Sequence, residues 1–385
     1  SKAQYMWAEA RKNNDFGQFS PYLEQMIELT KQKAGYINPK ESVYNVCLDE
    51  FDEGITQKMI DPLFEQLKVK TIERLQKIQT DPDPGPLSGS FDKEIQWKYN
   101  LELLKLFDFP FDKARLDLST HPFTIDMHPT DVRITTRVNQ NNLFESISST
   151  IHECGHAFYE LGLNSDHFGN ALGQSCSLSI HESQSRLWEN VVCKSDWFWK
   201  NNYSQLQEKF DDLKPLSFQA FYQKINRIKA GPIRVESDEL TYNLHIILRY
   251  EIEKAIFDQN TPVNELPKLF NQKMNELLGV TPKNDQEGIL QDVHWSCGLF
   301  GYFPTYTLGN IIALQLFDQL KLKSPQIIDD LQLNKFESLK QWLTKNVHAK
   351  GRRLTSLDLL KSITGSTLTL EPFFQYLDNK IETLK

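Results

Sequence analysis

The chain has 385 residues, 39% hydrophobic and 24% charged, a globular composition with enough apolar mass for a large core. Its formal net charge of −8 gives no basic surface for a nucleic acid, and no apolar run approaches the roughly 20 residues needed to span a bilayer. Five cysteines, an odd number with no C-x-x-C pair, argue for free thiols in a cytosol-type compartment rather than a disulfide framework.

The opening SKAQYMWAEARKNND is polar, unlike a signal peptide, and has no initiator Met, so the original start is expected upstream. Apolar residues then recur at i, i+3, i+4 and i+7, the helical spacing. Residues 20–37 form one such segment, with Ser20 as N-cap, Pro21 at the first helical position and Gly35 at the end. Residues 60–80 form another, and DPDPGPLSG at 81–89 must be a loop. HPFTIDMHPTDVRITTRV at 121–138 breaks the rhythm: it is rich in Thr, Ile and Val, alternates in DVRITTRV, and carries an HPTD turn. It predicts a small hairpin or sheet. Helical spacing returns afterwards, so the expected fold is mainly α with a minor β element, organised as one domain over 1–385.

The stretch 141–162 predicts one helix, with Asn142 as cap, Glu145 three residues on and Gly162 at the end. It contains HECGH at 152–156. Positions four apart on a helix differ by about 40° of azimuth, so His152 and His156 project from one face and can share a tetrahedral Zn²⁺. Glu153 is displaced sideways, where it can hold a water and take its proton. The alternative is a partly buried helix carrying two satisfied histidines. A catalytic zinc needs a third protein ligand and an open position. The next predicted helix, 177–192, offers His181, Glu182 and Glu189. Glu182 facing the core would be a costly buried carboxylate unless paired or metal-bound; facing outward it would be an ordinary surface residue.

Three further clusters could line such a site. In 230–256 a Gly-Pro break precedes Arg234, a helix start at Ser237 and a long helix holding His245. Arg234 could grip a carboxylate with two parallel hydrogen bonds, or form a surface ion pair with Glu236 or Asp238. The segment 288–310 gathers His294, Trp295 and Tyr306 among glycines and aromatics, either a packed turn or a pocket wall with donors for a developing oxyanion. Asp131, Arg133 and Thr135 alternate on the expected strand; as an edge strand it could pair with an extended peptide, and otherwise it is plain sheet.

In order, HPF at 121–123, DVRITTR at 131–137, HECGH at 152–156, HESQS at 181–185, IRVESDE at 233–239 and GILQDVHW at 288–295, with GYFPTYTLGN at 301–310, resemble the carboxypeptidase Taq family of thermostable metallocarboxypeptidases. The resemblance runs along the whole chain. It implies a mostly helical, zincin-like, saddle-shaped body with a deep groove, in cytosolic homodimers that release single C-terminal residues from peptides with Zn²⁺, Co²⁺ or Mn²⁺. By position it makes His152, His156 and Glu182 the metal ligands, Glu153 the general base and Arg234 the grip on the substrate carboxylate. Arg133, His294 and Tyr306 would line the groove. Ser237 stands where the family usually has Ala, and the family usually carries further helices ahead of the part matching residue 1. Two other readings stay open: an oligoendopeptidase or dipeptidyl carboxypeptidase with the same H-E-x-x-H chemistry, and a truncated, non-catalytic peptide-binding protein.

Overall fold

The computed structural model describes residues 2–78 and 82–385. In chain order the helices are α1 Lys2–Asn13, α2 Phe16–Ile37, α3 Val43–Phe51, α4 Gln57–Ile78, α5 Lys93–Leu106, α6 Leu143–Leu161, α7 Leu178–Arg186, α8 Asp196–Lys209, α9 Phe218–Ile225, α10 Tyr242–Phe257, α11 Leu266–Leu278, α12 Pro304–Lys323, α13 Gln326–Gln332, α14 Glu337–Asn346, α15 Ser356–Thr364 and α16 Glu371–Leu384. The strands are β1 Ala114–Leu118, β2 Thr124–His128 and β3 Asp131–Thr136. The fold is therefore mainly helical with one small sheet. No helix among the described residues is long and apolar enough to cross a membrane.

Two compact units divide the chain: Ser1–Pro82 with Ile228–Thr307, and Asp83–Arg227 with Leu308–Lys385. In the first, α10 packs on α11 and α4, and its core includes Phe64, Ile246, Leu248, Ile252 and Phe270, all buried. In the second, α6 packs against α5, α7 and the sheet. Ile147, Ile151, Trp188 and Val132 fill that core without exposure. Each such side chain contributes about 1.5–3 kcal/mol, which helps offset the charged groups buried beside them.

Several boundaries depart from the sequence reading. Helix α2 starts at Phe16, capped by Asp15, whose carboxylate accepts from the Gly17 N–H at 2.9 Å. Ser20 is therefore not the cap, because the apolar stripe extends upstream through Phe19 and Phe16. In the 60–80 segment the helix begins at Gln57; positions 79 and 80, like residue 81 of the expected loop, lie outside the described residues. Helix α6 follows expectation, with the Asn142 side chain accepting from the Glu145 N–H at 3.3 Å and Gly162 at its end. The segment 177–192 is not one α-helix: α7 ends at Arg186 and a π-helical turn runs over Leu187–Cys193. The long helix expected from Ser237 begins only at Tyr242, because the Asp238 carboxylate ties down the Leu240 and Thr241 N–H groups first.

The hairpin in 121–138 is present as β2 and β3, antiparallel. Strand β1 also pairs with β3, in parallel, giving the order β1-β3-β2. The strand carrying Asp131, Arg133 and Thr135 is therefore the centre of the sheet, with no edge to offer a peptide. The sequence reading missed β1, although ARLDL at 114–118 alternates apolar and polar residues.

Candidate active site

On α6, His152 and His156 stand one turn apart, with ring centroids 4.9 Å apart and the planes steeply inclined. Helix α7 passes close to them because position 155 has no side chain. A Cβ there would lie 2.7 Å from both the Gln184 carbonyl oxygen and the Ser185 Cα. Gly309 on α12 likewise leaves room for the Glu182 side chain, which a Cβ would meet at 2.7 Å. Glu182 is only 5% exposed. Its Oε2 lies 3.4 Å from His156 Nε2 and 3.8 Å from His152 Nε2.

The three side chains present a donor set for a divalent ion. One ligand atom from each of the three residues can be chosen so that all lie within 4.8 Å of one another. Atoms about 2.0–2.2 Å from a tetrahedral ion stand roughly 3.3–3.6 Å apart. The 3.4 Å separation already meets that, the 3.8 Å one needs a closure of a few tenths of an ångström, and the two histidine nitrogens, within 4.8 Å of one another, close by at most about 1.5 Å. Two imidazoles and a carboxylate suit a borderline cation. The residues fit.

The remaining candidates on α7 and the π turn stand behind the histidines. Glu189 Oε2 accepts from His152 Nδ1 at 2.9 Å, and its Oε1 accepts from Ser148 Oγ at 2.6 Å. His181 Nδ1 meets His156 Nδ1 at 2.6 Å, and its Nε2 meets Glu160 Oε1 at 2.6 Å. Leaving His156 Nε2 as a lone pair requires its Nδ1–H to donate to His181, and His181 Nε2–H to donate to Glu160. Burial, supported by the neighbouring His181 and His152, pushes His156 down to about 3, so the neutral, ligating form prevails. His152 is different: burial opposes its protonation, but Glu182 and Glu189 together raise it above the usual histidine value.

The carboxylates also differ in environment. Burial works against charge on Glu182, yet the guanidinium of Arg186, with Nε 2.6 Å from Glu182 Oε1, and the two histidines hold it well below the usual range. Burial raises Glu153, which is 6% exposed. Opposing that rise, His152 lies close by and Thr124 Oγ1 on β2 donates to Glu153 Oε2 at 2.6 Å. A buried carboxylate with a raised pKa, beside a cluster of lone pairs, is a candidate base.

In the first unit Arg234 is 7% exposed. Its partner is neither Glu236 nor Asp238: Nε and Nη2 donate to Asp292 Oδ1 at 2.9 and 2.7 Å, and Nη1 donates to Tyr242 OH at 3.0 Å. Those bonds use three of five N–H donors. The guanidinium lies 5.2 Å from the Tyr306 ring centroid and 5.8 Å from that of Phe303. Asp292 also holds the fully buried Arg249, whose Nε donates to Oδ2 at 2.6 Å. His294 Nε2 lies 3.2 Å from Tyr306 OH, and burial pushes His294 down to about 4, so it is neutral near pH 7. His245 is buried with Nε2 facing the Gly231 carbonyl at 3.1 Å, a core histidine. In the second unit Arg133 is exposed and pairs with Asp131 through two bonds of 3.0 and 2.8 Å.

Thr124, Glu160, Arg186 and Asp292 were not singled out from sequence. Glu160 falls four residues after His156, and Arg186 four after Glu182, so helical periodicity could have flagged both. Thr124 and Asp292 carry no such local signal.

A family model described as Carboxypeptidase Taq (M32) metallopeptidase matches residues 1–381. Carboxypeptidase 1 of Bacillus subtilis is 43% identical over 388 residues, spanning 100% of this chain and 77% of that protein. Thermostable carboxypeptidase 1 of Thermus thermophilus is 37% identical over 396 residues, spanning 100% of this chain and 78% of its own length. Among solved structures, the M32 carboxypeptidase from Deinococcus radiodurans R1 superposes with a TM-score of 0.96 at 34% identity, covering 100% of this chain and 78% of that one. Pyrococcus furiosus carboxypeptidase gives 0.95 at 35% identity, covering 98% and 77%.

Proposed function

Because the chain belongs to the carboxypeptidase Taq (M32) metallopeptidase family and is a metal-dependent carboxypeptidase acting on peptides, we propose that His152, His156 and Glu182 hold its divalent metal, with Glu153 as general base. The observation that carries this is the convergence of two imidazole Nε2 atoms and Glu182 Oε2. Zn²⁺ is the proposed ion, with Co²⁺ or Mn²⁺ as alternatives, since an N₂O donor set accepts several. When bound, such a cation polarises the scissile carbonyl and acidifies water.

The protein's own groups supply the rest. Glu153 accepts the proton from the water that attacks the carbonyl carbon, and Thr124 fixes which carboxylate oxygen is free to do so. As the C–N bond breaks, Glu153 returns the proton to the leaving amine. Arg234 is the proposed partner of the substrate's free α-carboxylate: the N–H groups left over from Asp292 and Tyr242 can meet it in a charge-assisted pair. Release of one C-terminal residue at a time is the step proposed with that grip. His294 and Tyr306 are proposed donors to the developing oxyanion, and Arg133 a groove contact. We further propose that residues 1–385 act as one catalytic domain, in a cytoplasmic homodimer.

Mass spectrometry of mixed peptides with the metal-loaded protein tests the reading. The expected product is a ladder losing single residues from free C-termini, with C-terminally amidated peptides spared. Equal cleavage of amidated peptides would remove Arg234 from its role. Glu153→Gln should retain metal and lower turnover by roughly 10²–10⁴-fold; undiminished turnover rules out the base assignment.

A further inference from the structure

We infer that Arg186 is a positioning residue that fixes Glu182 as a one-oxygen ligand and thereby sets the preference of the site among divalent ions. The inference rests on the reading of His152, His156 and Glu182 as the metal-binding set.

A carboxylate can bind an ion through one oxygen or both. Here the two oxygens of Glu182 are separated by their hydrogen bonds. Oε1 accepts from Arg186 Nε at 2.6 Å. Oε2 faces the two histidine Nε2 atoms and accepts a longer bond from Ser185 Oγ, at 3.1 Å. Bringing Oε1 onto the same ion would compete with the guanidinium bond for that oxygen's charge and direction, a bond between charged groups in a buried place and so among the stronger kinds.

The same side chain reaches a second carboxylate. Arg186 Nη1 donates at 3.1 Å to Glu189 Oε2, the oxygen that accepts from His152 Nδ1. One guanidinium therefore sets the direction of Glu182 and, through Glu189, of His152. Lys194 Nζ stands 3.4 Å from the other Glu189 oxygen, so the two carboxylates face two cations. Arg186 can do this because it sits at the junction of α7 and the π turn, four residues after Glu182 and three before Glu189. π turns within helices are frequently found where function demands a particular side-chain direction. A lysine at 186 would keep the charge but could not span both carboxylates with a planar fork.

The consequence for ion choice follows from coordination number. Two imidazoles and one carboxylate oxygen, with one open position, make a four-coordinate site that suits Zn²⁺ or Co²⁺. A two-oxygen carboxylate adds a ligand atom and moves the site toward the oxygen-rich, higher-coordinate geometry that suits Mn²⁺.

The test uses the full chain stripped of metal and titrated with Co²⁺ alone, followed by visible d–d absorption, with Zn²⁺ and Mn²⁺ competing in a second measurement. The variants are Arg186→Lys and Arg186→Gln; the lysine variant keeps the buried charge balanced and remains informative if the glutamine variant does not fold. Wild type should give the intense spectrum of four-coordinate Co²⁺. The variants should give a weaker spectrum of higher coordination and lose roughly tenfold of the Zn²⁺-over-Mn²⁺ preference. A folded Arg186→Lys chain with the wild-type spectrum and ion ratio overturns the inference, even if its melting temperature falls. The reading beneath it is checked separately with His156→Ala: loss of the Co²⁺ spectrum supports that reading, and an unchanged spectrum places the ion elsewhere and removes both.

Discussion

Two regions of this protein bury several charged groups each, and they handle them in opposite ways. Around Asp292 in the first unit, both carboxylate oxygens are taken up by Arg234 and Arg249. Around Glu182 in the second, only one oxygen is held by a guanidinium, and the other faces two imidazole nitrogens that have no proton to give it once they serve as ligands. A buried carboxylate with both oxygens taken up by guanidiniums holds a geometry and leaves Arg234 with donors to spare. A buried cluster with converging lone pairs left over has room for a cation. Charge burial alone therefore does not mark a cation site; converging carboxylate and imidazole lone pairs do.

The largest expected effect of this contrast is on stability. Asp292→Asn leaves two buried guanidiniums without their counter-charge, which should cost about 3–5 kcal/mol in urea denaturation. A loss near zero would mean that the cluster is not a matched pair at all. Metal affinity of the folded variant gives a control on the second unit.

Glu253 supplies an intermediate case. It is buried and accepts from Tyr44 OH at 2.7 Å, Trp295 Nε1 at 2.8 Å and the Gly301 N–H at 3.0 Å, all neutral donors. Burial raises its carboxyl to about 7, against those donors. The folded chain thus keeps a proton that the unfolded chain releases above its ordinary value of 4.5. Its contribution is complete below that value and is lost as pH rises to about 7, by about 3 kcal/mol in all. Denaturation midpoints at pH 5 and pH 8 should show the fall in wild type and a flatter profile in Glu253→Gln. An equal fall in both would assign the pH dependence to other groups.

Gly155→Ala acts on the approach of α7 to α6. The added carbon meets backbone at 2.7 Å, so the helices must part. The expected cost is about 1–3 kcal/mol, together with weaker metal retention in a chelator competition. Unchanged retention would mean that Glu182 does not depend on that approach. The smallest effect is expected at Arg133, exposed and paired with its neighbour Asp131 on the surface of the sheet. Arg133→Ala should leave the denaturation midpoint where it is, and a rise in KM for peptides is the only change a groove role would produce.

What could be seen in the linear order of residues was whatever depends on near neighbours. The mainly helical class, the hairpin at 121–138, the Asn142 cap and the placing of His152 and His156 on one helical face all follow from turns, caps and a period of 3.6 residues. The failures share one cause, which is competition from groups distant in sequence or from a stronger local cap. Asp15 displaced Ser20, and Asp238 delayed α10. Strand β1 puts the strand over 131–136 at the centre of the sheet and so removes the edge-strand alternative, leaving plain sheet.

The sorting of His181, Glu182 and Glu189 could not be read along the chain, because all three lie within one turn or two of each other and all are compatible with a core-facing helix. The crossing of α7 over Gly155 and the π turn after Arg186 separated them, sending Glu182 toward the histidine Nε2 atoms and His181 and Glu189 behind the rings. Arg234 likewise found its carboxylate 58 residues away rather than next door. Periodicity fixes the azimuth of a side chain on its own helix. Which of several well-aimed groups meets which partner depends on how closely two backbones approach, and that is a property of packing.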